Sequence, residues 1–287
     1  VSQLWRDQIQ VFFGPGQVNM VGMSRGIKSE QLFRLSSVCA QAAGAVQWEA
    51  PLNLLEQMTQ REPGGSGSLR LRRGAELNIT LSNQFVRYGI VAPQPTVANP
   101  DELMAYASFQ MREIYGERIN DWSLSLSMWD PFNGTLCAAI PLHLQSGIEA
   151  FALRHNIKLK RIEPYLTATL DHWSRELDSK RLWFVLIEPE RFCLVLLQND
   201  SWRCVRNQRI VQNLGEELLS ALEQEAVISG QREPVEQVYV FAPEYSEPEL
   251  TSNHSWQFVL LPGGKKSAPA HFPLSKIDGG KVEACVA

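Results

Sequence analysis

Cysteine is sparse in this chain and never arranged to work in a group. The five cysteines, Cys39, Cys137, Cys193, Cys204 and Cys285, are odd in number and include no Cys-x-x-Cys pair. That spacing argues against a disulfide framework and against a cysteine-based zinc site, and it favours a reducing compartment. Most of them sit in apolar runs, where cysteine behaves as a small hydrophobe. Long hydrophobic runs are missing too: none approaches the roughly 18–20 apolar residues needed to cross a bilayer. The opening VSQLWRDQIQ has neither the basic flank nor the apolar centre of a signal peptide. The expectation is a soluble cytoplasmic protein. Positive charge is not in excess either, since 27 Lys and Arg against 31 Asp and Glu give a formal charge of −4. Nucleic-acid binding, which usually needs a basic face, is not expected. The short strip LRLRRG (69–74) reads as a solvated strand edge.

Catalytic constellations are equally scarce. The histidines His143, His155, His172, His254 and His271 show no His-x3-His spacing and none neighbours a cysteine, so no metal site is expected. Asp171 and His172 are adjacent, and adjacent residues on a helix point apart. There is no Gly-x-Ser-x-Gly elbow. LPGGKKSAP (261–269) misses the P-loop spacing, because Val259 stands where the first glycine is needed and two lysines follow Gly264. Glu216, Glu217, Glu223 and Glu225 share one predicted helix, where carboxylates near the start compensate the dipole. The eight tryptophans read as core, with a minority available to a partner groove.

What remains is an ordinary folded composition, 44% hydrophobic and 20% charged over 287 residues, enough for one large domain or two. VFFGPGQVNMVG (11–22) predicts a strand pair, 8–13 and 17–23, around Gly14-Pro15-Gly16. Ser29 then reads as the cap of a helix over EQLFRLSSVCAQAAGA, with Leu32, Leu35, Val38 and Cys39 on one face. A second helix, PLNLLEQMTQ, runs into a Gly/Ser/Pro loop at about 61–69. Residues 75–93 read as a hairpin turning at Ser82-Asn83. Asn99, Pro100 and Gly116 mark the ends of a helix whose buried stripe is Leu103, Ala107, Met111 and Ile114. Strands at 122–129 and 135–140, a helix at about 141–155, a strand at 157–162 and a helix from Pro164 follow. From 181 the pattern is strand, turn, strand, turn, strand, then a helix closed by Gly230 and the strand of VEQVYVFAPEY. The tail from 262 reads as a loosely held extension. The fold class is α/β with mixed sheets, and the beginning and the 181–241 segment share a plan, which suggests a duplicated, two-lobed architecture with a cleft.

This succession resembles the actin-like ATPase superfamily, and within it the PilM and GspL branch of type IV pilus and type II secretion assembly. ELNITLSNQFVRYGIVAP, NPDELMAYASFQMREIYGE, DWSLSLSM, TLCAAIPLHLQSGIEAFALRHNIKLKRIEPYLTATLDHW and LWFVLIEPERFCLVLLQNDSWRCVRNQRI carry the likeness, over most of residues 8–241. It implies an actin-like (ribonuclease H-like) two-lobe fold with an inserted small α+β subdomain. The divisions it implies are 1–74 for the start of the first lobe, 75–163 for the insertion and return, 164–261 for the second lobe and 262–287 for the tail.

Actin-like ATPases carry an Asp-x-Gly motif at the start of each lobe, whose carboxylate positions magnesium and whose glycine admits phosphate to the backbone. In this chain Phe12 stands at the carboxylate position beside Gly14, Pro15 and Gly16. In the second lobe Ile187 or Glu188 meets the acidic position and Pro189 the glycine, and Ala242-Pro243 replaces the paired glycines of the adenosine segment. The resemblance therefore implies a degenerate cleft with no ATP, no magnesium and no catalytic residues. It implies a scaffold peripheral to the inner membrane that binds a cytoplasmic peptide of a PilN-like partner in a groove beside residues 75–163. The missing transmembrane segment favours the PilM-like arrangement; homo-oligomerisation is left open. The alternative is an active ATPase or small-molecule kinase with diverged motifs, with Glu188 and Glu190 organising metal and Gly14 and Gly16 on the phosphates.

Overall fold

The computed structural model describes residues 7–24, 30–39, 46–60, 74–97, 99–177, 180–230, 233–245 and 248–262. They divide into two compact units, residues 7–85 with 142–168, and residues 86–141 with 169–262. Strands and helices are numbered in chain order.

The first unit holds a sheet of order β3-β2-β1-β4-β8, from β1 (Gln8–Phe13), β2 (Gln17–Met23), β3 (Gln31–Val38), β4 (Glu76–Leu81) and β8 (Lys158–Pro164). β1, β2 and β3 form an antiparallel meander, and β4 and β8 extend it as parallel strands. Val11, Phe13, Leu77 and Leu81 are fully buried, as expected where strands are covered on both faces. Helices α1 (Glu49–Gln60) and α3 (Leu142–Arg154) pack together, and Gly147 allows the approach: a Cβ there would lie 2.7 Å from Leu52 Cδ2.

At the ends of α1 and α3, Glu56 accepts from Arg154 at 2.9 Å and faces His155 Nε2 at 2.8 Å. Burial pushes the Glu56 carboxyl up, but the hydrogen bonds and charges of Arg154 and His155 outweigh it and hold the group below its usual value. A carboxylate with a depressed folded pKa adds stability above its unfolded pKa, and the contribution is lost as pH falls through the folded value. Glu56→Gln is therefore expected to destabilise at neutral pH and to converge on wild type below the ordinary carboxylate range, as read by urea melts across pH.

Two expectations fail in this unit. Residues 31–38 are a strand, not the helix expected over 30–45. Phe33, Leu35 and Ser37 are half-buried while their neighbours are exposed, a period of two, and pairing with β2 (Met20↔Leu35, Val18↔Ser37) supplies the backbone hydrogen bonds. The Leu32/Leu35/Val38 spacing mimicked a helix stripe, but Leu32 and Val38 are about half exposed. Ser29 and residues 40–45 lie outside the described residues. The hairpin expected at 75–93 also does not form. Both edges of β4 are occupied, by β1 and β8, so the chain leaving Leu81 must pair elsewhere.

It does so in the second unit, as β5 (Arg87–Val91). With β6 (Trp122–Leu126) and β7 (Thr135–Pro141) it makes an antiparallel sheet of order β5-β7-β6. Helix α2 (Pro100–Tyr115) lies on this sheet, burying Ala107 and Met111 against Val91, Cys137 and Ala139. Its ends fall where capping chemistry places them, with the Asn99 side chain accepting from Glu102 N–H and Gly116 at φ 65°. Ile114 departs from the expected stripe and is 55% exposed; Tyr115 turns inward instead and donates its hydroxyl to the Tyr88 carbonyl at 2.7 Å.

The larger sheet of this unit has the order β11-β10-β9-β12-β13, from β9 (Arg181–Glu188), β10 (Arg191–Gln198), β11 (Ser201–Arg209), β12 (Glu236–Phe241) and β13 (Trp256–Leu260). It repeats the plan of the first sheet, an antiparallel three-strand meander extended by two parallel strands. β13 escaped the sequence reading because only Trp256 of its five residues is buried, which leaves no alternation to see. Helix α5 (Leu214–Ser229) buries Leu218, Ala221, Leu222 and Ala226 against Trp183, Val185, Val238 and Val240. At the start of β12 Glu236, 3% exposed, accepts from Arg181 Nε at 3.0 and 3.2 Å, from Trp183 Nε1 at 3.1 Å and from Glu233 N–H at 3.1 Å. α4 (Tyr165–Trp173) contains the division between the units. Among the described residues, no helix is long and apolar enough to cross a membrane. The tail after 262 and the 61–69 loop lie outside the described residues.

Candidate functional site

Because the two large sheets share one plan, the β1–β2 turn and the β9–β10 turn are topologically equivalent. Each lies at the carboxyl end of a strand that has a parallel neighbour, the position where open α/β sheets take ligands.

In the first unit, β1 delivers Phe12 and then the turn Gly14-Pro15-Gly16. Phe12 is 2% exposed and stands edge-on to Tyr165, itself fully buried, with ring centroids 5.0 Å apart at 70°. The turn is closed on itself. Gly14 N–H donates to the Gln17 carbonyl at 2.9 Å, Pro15 has no N–H, and the Gly16 carbonyl accepts from Cys39 N–H at 3.0 Å. The neighbouring end of β4 is hydrogen-bonded within the chain as well. Ser82 N–H donates to the Phe13 carbonyl at 3.0 Å, and Asn83, fully buried, accepts from Leu166 N–H in the first turn of α4 at 3.2 Å. One amide of that helix's first turn, which could otherwise face an anion, is thus taken by a side chain of the same chain.

In the second unit, β9 ends in Glu188, which is buried and pairs across the hairpin with Arg191. Arg191 donates to Asn207 Oδ1 at 2.8 Å, and Asn207 Nδ2 donates to the Val86 carbonyl at 3.0 Å, which ties the hairpin to the start of β5. Burial lowers the Arg191 pKa, with Arg87 acting in the same direction and Glu188 against it. At the tip, Pro189 has no N–H, the Glu190 carbonyl accepts from Ile210 N–H at 2.8 Å, and the exposed Glu190 carboxylate lies 3.4 Å from Arg209 Nη2. Glu190 holds a positive φ of 59°. Ala242 and Pro243 follow β12 in a turn closed by Tyr245 N–H on the Ala242 carbonyl at 3.1 Å. The Tyr245 side chain hydrogen-bonds the Glu190 backbone, so this unit brings Glu188, Pro189, Ala242 and Pro243 into one neighbourhood.

Elsewhere the three buried thiols are inert. Burial raises Cys137 to about 12 and raises Cys193 and Cys204 as well, so little thiolate exists at neutral pH. Among the described residues no group of His, Cys, Asp and Glu is placed to hold a metal ion.

No family model and no curated protein sequence matches the chain. Solved structures do. The PilM–PilN type IV pilus biogenesis complex matches at 17% identity with a TM-score of 0.57, over 82% of this chain and 81% of that one. The cytoplasmic domain of EpsL, an inner-membrane component of the type II secretion system of Vibrio cholerae, matches at 10% identity and a TM-score of 0.54, over 89% and 90%. A Bacteroides thetaiotaomicron protein with an actin-like ATPase fold matches at 7% identity and 0.52, over 85% and 84%. The chain has the actin-like ATPase fold.

Within that fold, the residues singled out from the sequence occupy the strand ends and turns described above: Phe12 and Gly14 to Gly16 in the first unit, Glu188, Pro189, Ala242 and Pro243 in the second. The sequence reading missed Asn83 and Tyr165. It placed Asn83 in a hairpin turn and gave Tyr165 no role. A tyrosine opening a helix directly after a strand-ending proline was the signal that could have marked it.

Proposed function

We propose that this actin-like chain is a non-catalytic assembly protein of a type IV pilus or type II secretion system. It acts in the cytoplasm, held at the inner membrane by a PilN-like partner whose short cytoplasmic peptide it binds. It binds neither ATP nor magnesium. The observation that carries this reading is Phe12, an aromatic residue sealed against Tyr165 at the position where an actin-like ATPase places its magnesium-directed carboxylate. The two prolines, Pro15 and Pro189, support it, because each removes a donor from a turn that would have to cradle phosphate. Asn83 supports it further by occupying the Leu166 amide. The likeness to a PilM–PilN complex and to the EpsL cytoplasmic domain supports the choice of system and partner.

A thermal-shift titration with ATP, with and without magnesium, tests the nucleotide half of the proposal. A ligand at 100 times its dissociation constant stabilises a fold by about 2.7 kcal/mol, so binding would be plain in the melt. No shift is expected at millimolar MgATP. A magnesium-dependent shift that Glu188→Gln abolishes would establish the competing reading, an active ATPase or kinase that uses Glu188.

A further inference from the structure

The connection between β6 and β7, residues 127–134, is hydrogen-bonded along its length. Asp130 Oδ1 accepts from the N–H groups of Phe132 at 2.8 Å and Asn133 at 3.2 Å, Oδ2 accepts from Asn133 Nδ2 at 2.7 Å, and the Asp130 carbonyl accepts from Gly134 N–H at 2.7 Å. The Ser127 and Thr135 hydroxyls share a hydrogen bond of 2.7 Å. Gly134 sits at φ 77° with its Cα against β5, where a Cβ would lie 2.3 Å from the Val91 carbonyl oxygen, so no other residue fits. Trp129 turns inward onto the core under α2. The Asp130 carboxyl is held below its usual value by the Asn133 amide and the Phe132 N–H, and it carries its charge at neutral pH.

This frame presents apolar groups to water: Met128 is 93% exposed and Phe132 76%. Single exposed apolar residues are ordinary on protein surfaces. Two large ones held out by one hydrogen-bonded loop are a different matter, since neither contributes much burial to the fold and a pre-ordered loop loses less entropy when it docks. The surroundings are acidic. α2 runs back along β5, with Tyr115 near its end bonded to Tyr88 near the strand's start, so Asp101 and Glu102 in its first turn lie at the loop's end of the sheet. Within this sheet and helix, neither 92–111 nor 119–141 contains a lysine or arginine. An anionic bilayer attracts basic segments, so this charge pattern disfavours a membrane and favours a protein surface carrying cations.

We propose that Met128 and Phe132 are paired anchors that seat in an apolar pocket, rimmed by lysine or arginine, on a partner protein. The inference rests on this loop alone and stands whether or not the nucleotide reading holds.

The test is a photo-crosslinking residue in place of Phe132 in the full chain, irradiated in cells of its own organism, with the crosslinked peptide sequenced and its parent protein purified. The expected adduct is a protein segment in which Lys or Arg flanks apolar side chains. The Met128→Ser/Phe132→Ser double variant is expected to melt with wild type and to lose about tenfold or more in affinity for that purified protein. The interaction is expected to weaken with salt. Crosslinks to lipid alone, to a second copy of this chain alone, or to nothing would overturn the proposal. So would undiminished affinity of the double variant, or a lowered melting temperature, which would assign both side chains to the fold.

Discussion

Phe12→Asp is expected to lower the free energy of unfolding by at least about 3–5 kcal/mol, the usual cost of deleting a buried aromatic ring, before the cost of enclosing a carboxylate is added. Phe12 lies in the middle of the sheet, in register with Asn19 on β2 and Thr80 on β4, and its ring stands against Tyr165. Aspartate is the residue that the proposed correspondence with actin-like ATPases puts there, so the variant supplies that carboxylate at one position. It is not expected to restore magnesium-dependent ATP binding. Pro15 and Pro189 would still lack donors, Gly14 N–H would still serve Gln17, and Asn83 would still hold the Leu166 amide. A domain typically has only ~5–15 kcal/mol to lose, so urea denaturation would register the change clearly. Wild-type stability in Phe12→Asp would mean that the ring is not sealed in, and the reading built on it would fail.

The second large effect is expected at Glu236. Glu236→Gln keeps the shape of the side chain but leaves the Arg181 guanidinium, whose side chain is 9% exposed, without its charge partner. Removing one member of a buried ion pair typically costs about 3–5 kcal/mol, because the surviving charge stays buried and uncompensated. The carboxylate also receives the Trp183 indole and the Glu233 N–H, so it joins β9, β12 and the loop before β12 at one point. Replacing both members by apolar residues (Arg181→Met with Glu236→Leu) is expected to recover part of the loss, since no isolated charge remains. Recovery would be incomplete, because two donors would still lack their acceptor. Equal loss in single and double variants would show that the network's neutral hydrogen bonds, not the charge pair, carry the effect.

Much of the fold was legible in the sequence wherever a local rule and the tertiary environment agreed. The 181–209 meander reads as strand, turn, strand, turn, strand because β-branched and aromatic runs are separated by two-residue turns, and the sheet forms as those runs dictate. α2 was bounded by its caps, Asn99 at the start and Gly116 at the end, and α5 was closed by Gly230; its N-cap, Asn213, is seen in the structure. The failures have a common physical origin in long-range pairing. Residues 31–38 fit a helix stripe and a strand about equally, and only β2, outside that window, decides between them. The chain at 75–93 looked like a hairpin because both arms favour strands, but nothing local announces that β8, some eighty residues later, takes the second edge of β4. At the candidate site the missing carboxylate and the prolines were visible in the residues themselves. The contacts of Phe12 with Tyr165 and of Asn83 with Leu166 join residues too far apart in sequence for spacing to reveal.

The most direct test of the account is calorimetric titration of the full chain with the cytoplasmic peptide of the PilN-like protein from the same organism, run once in nucleotide-free buffer and once in saturating MgATP. The account predicts saturable binding with one affinity in both. Absence of binding without nucleotide, or an affinity that rises when MgATP is added, would contradict it.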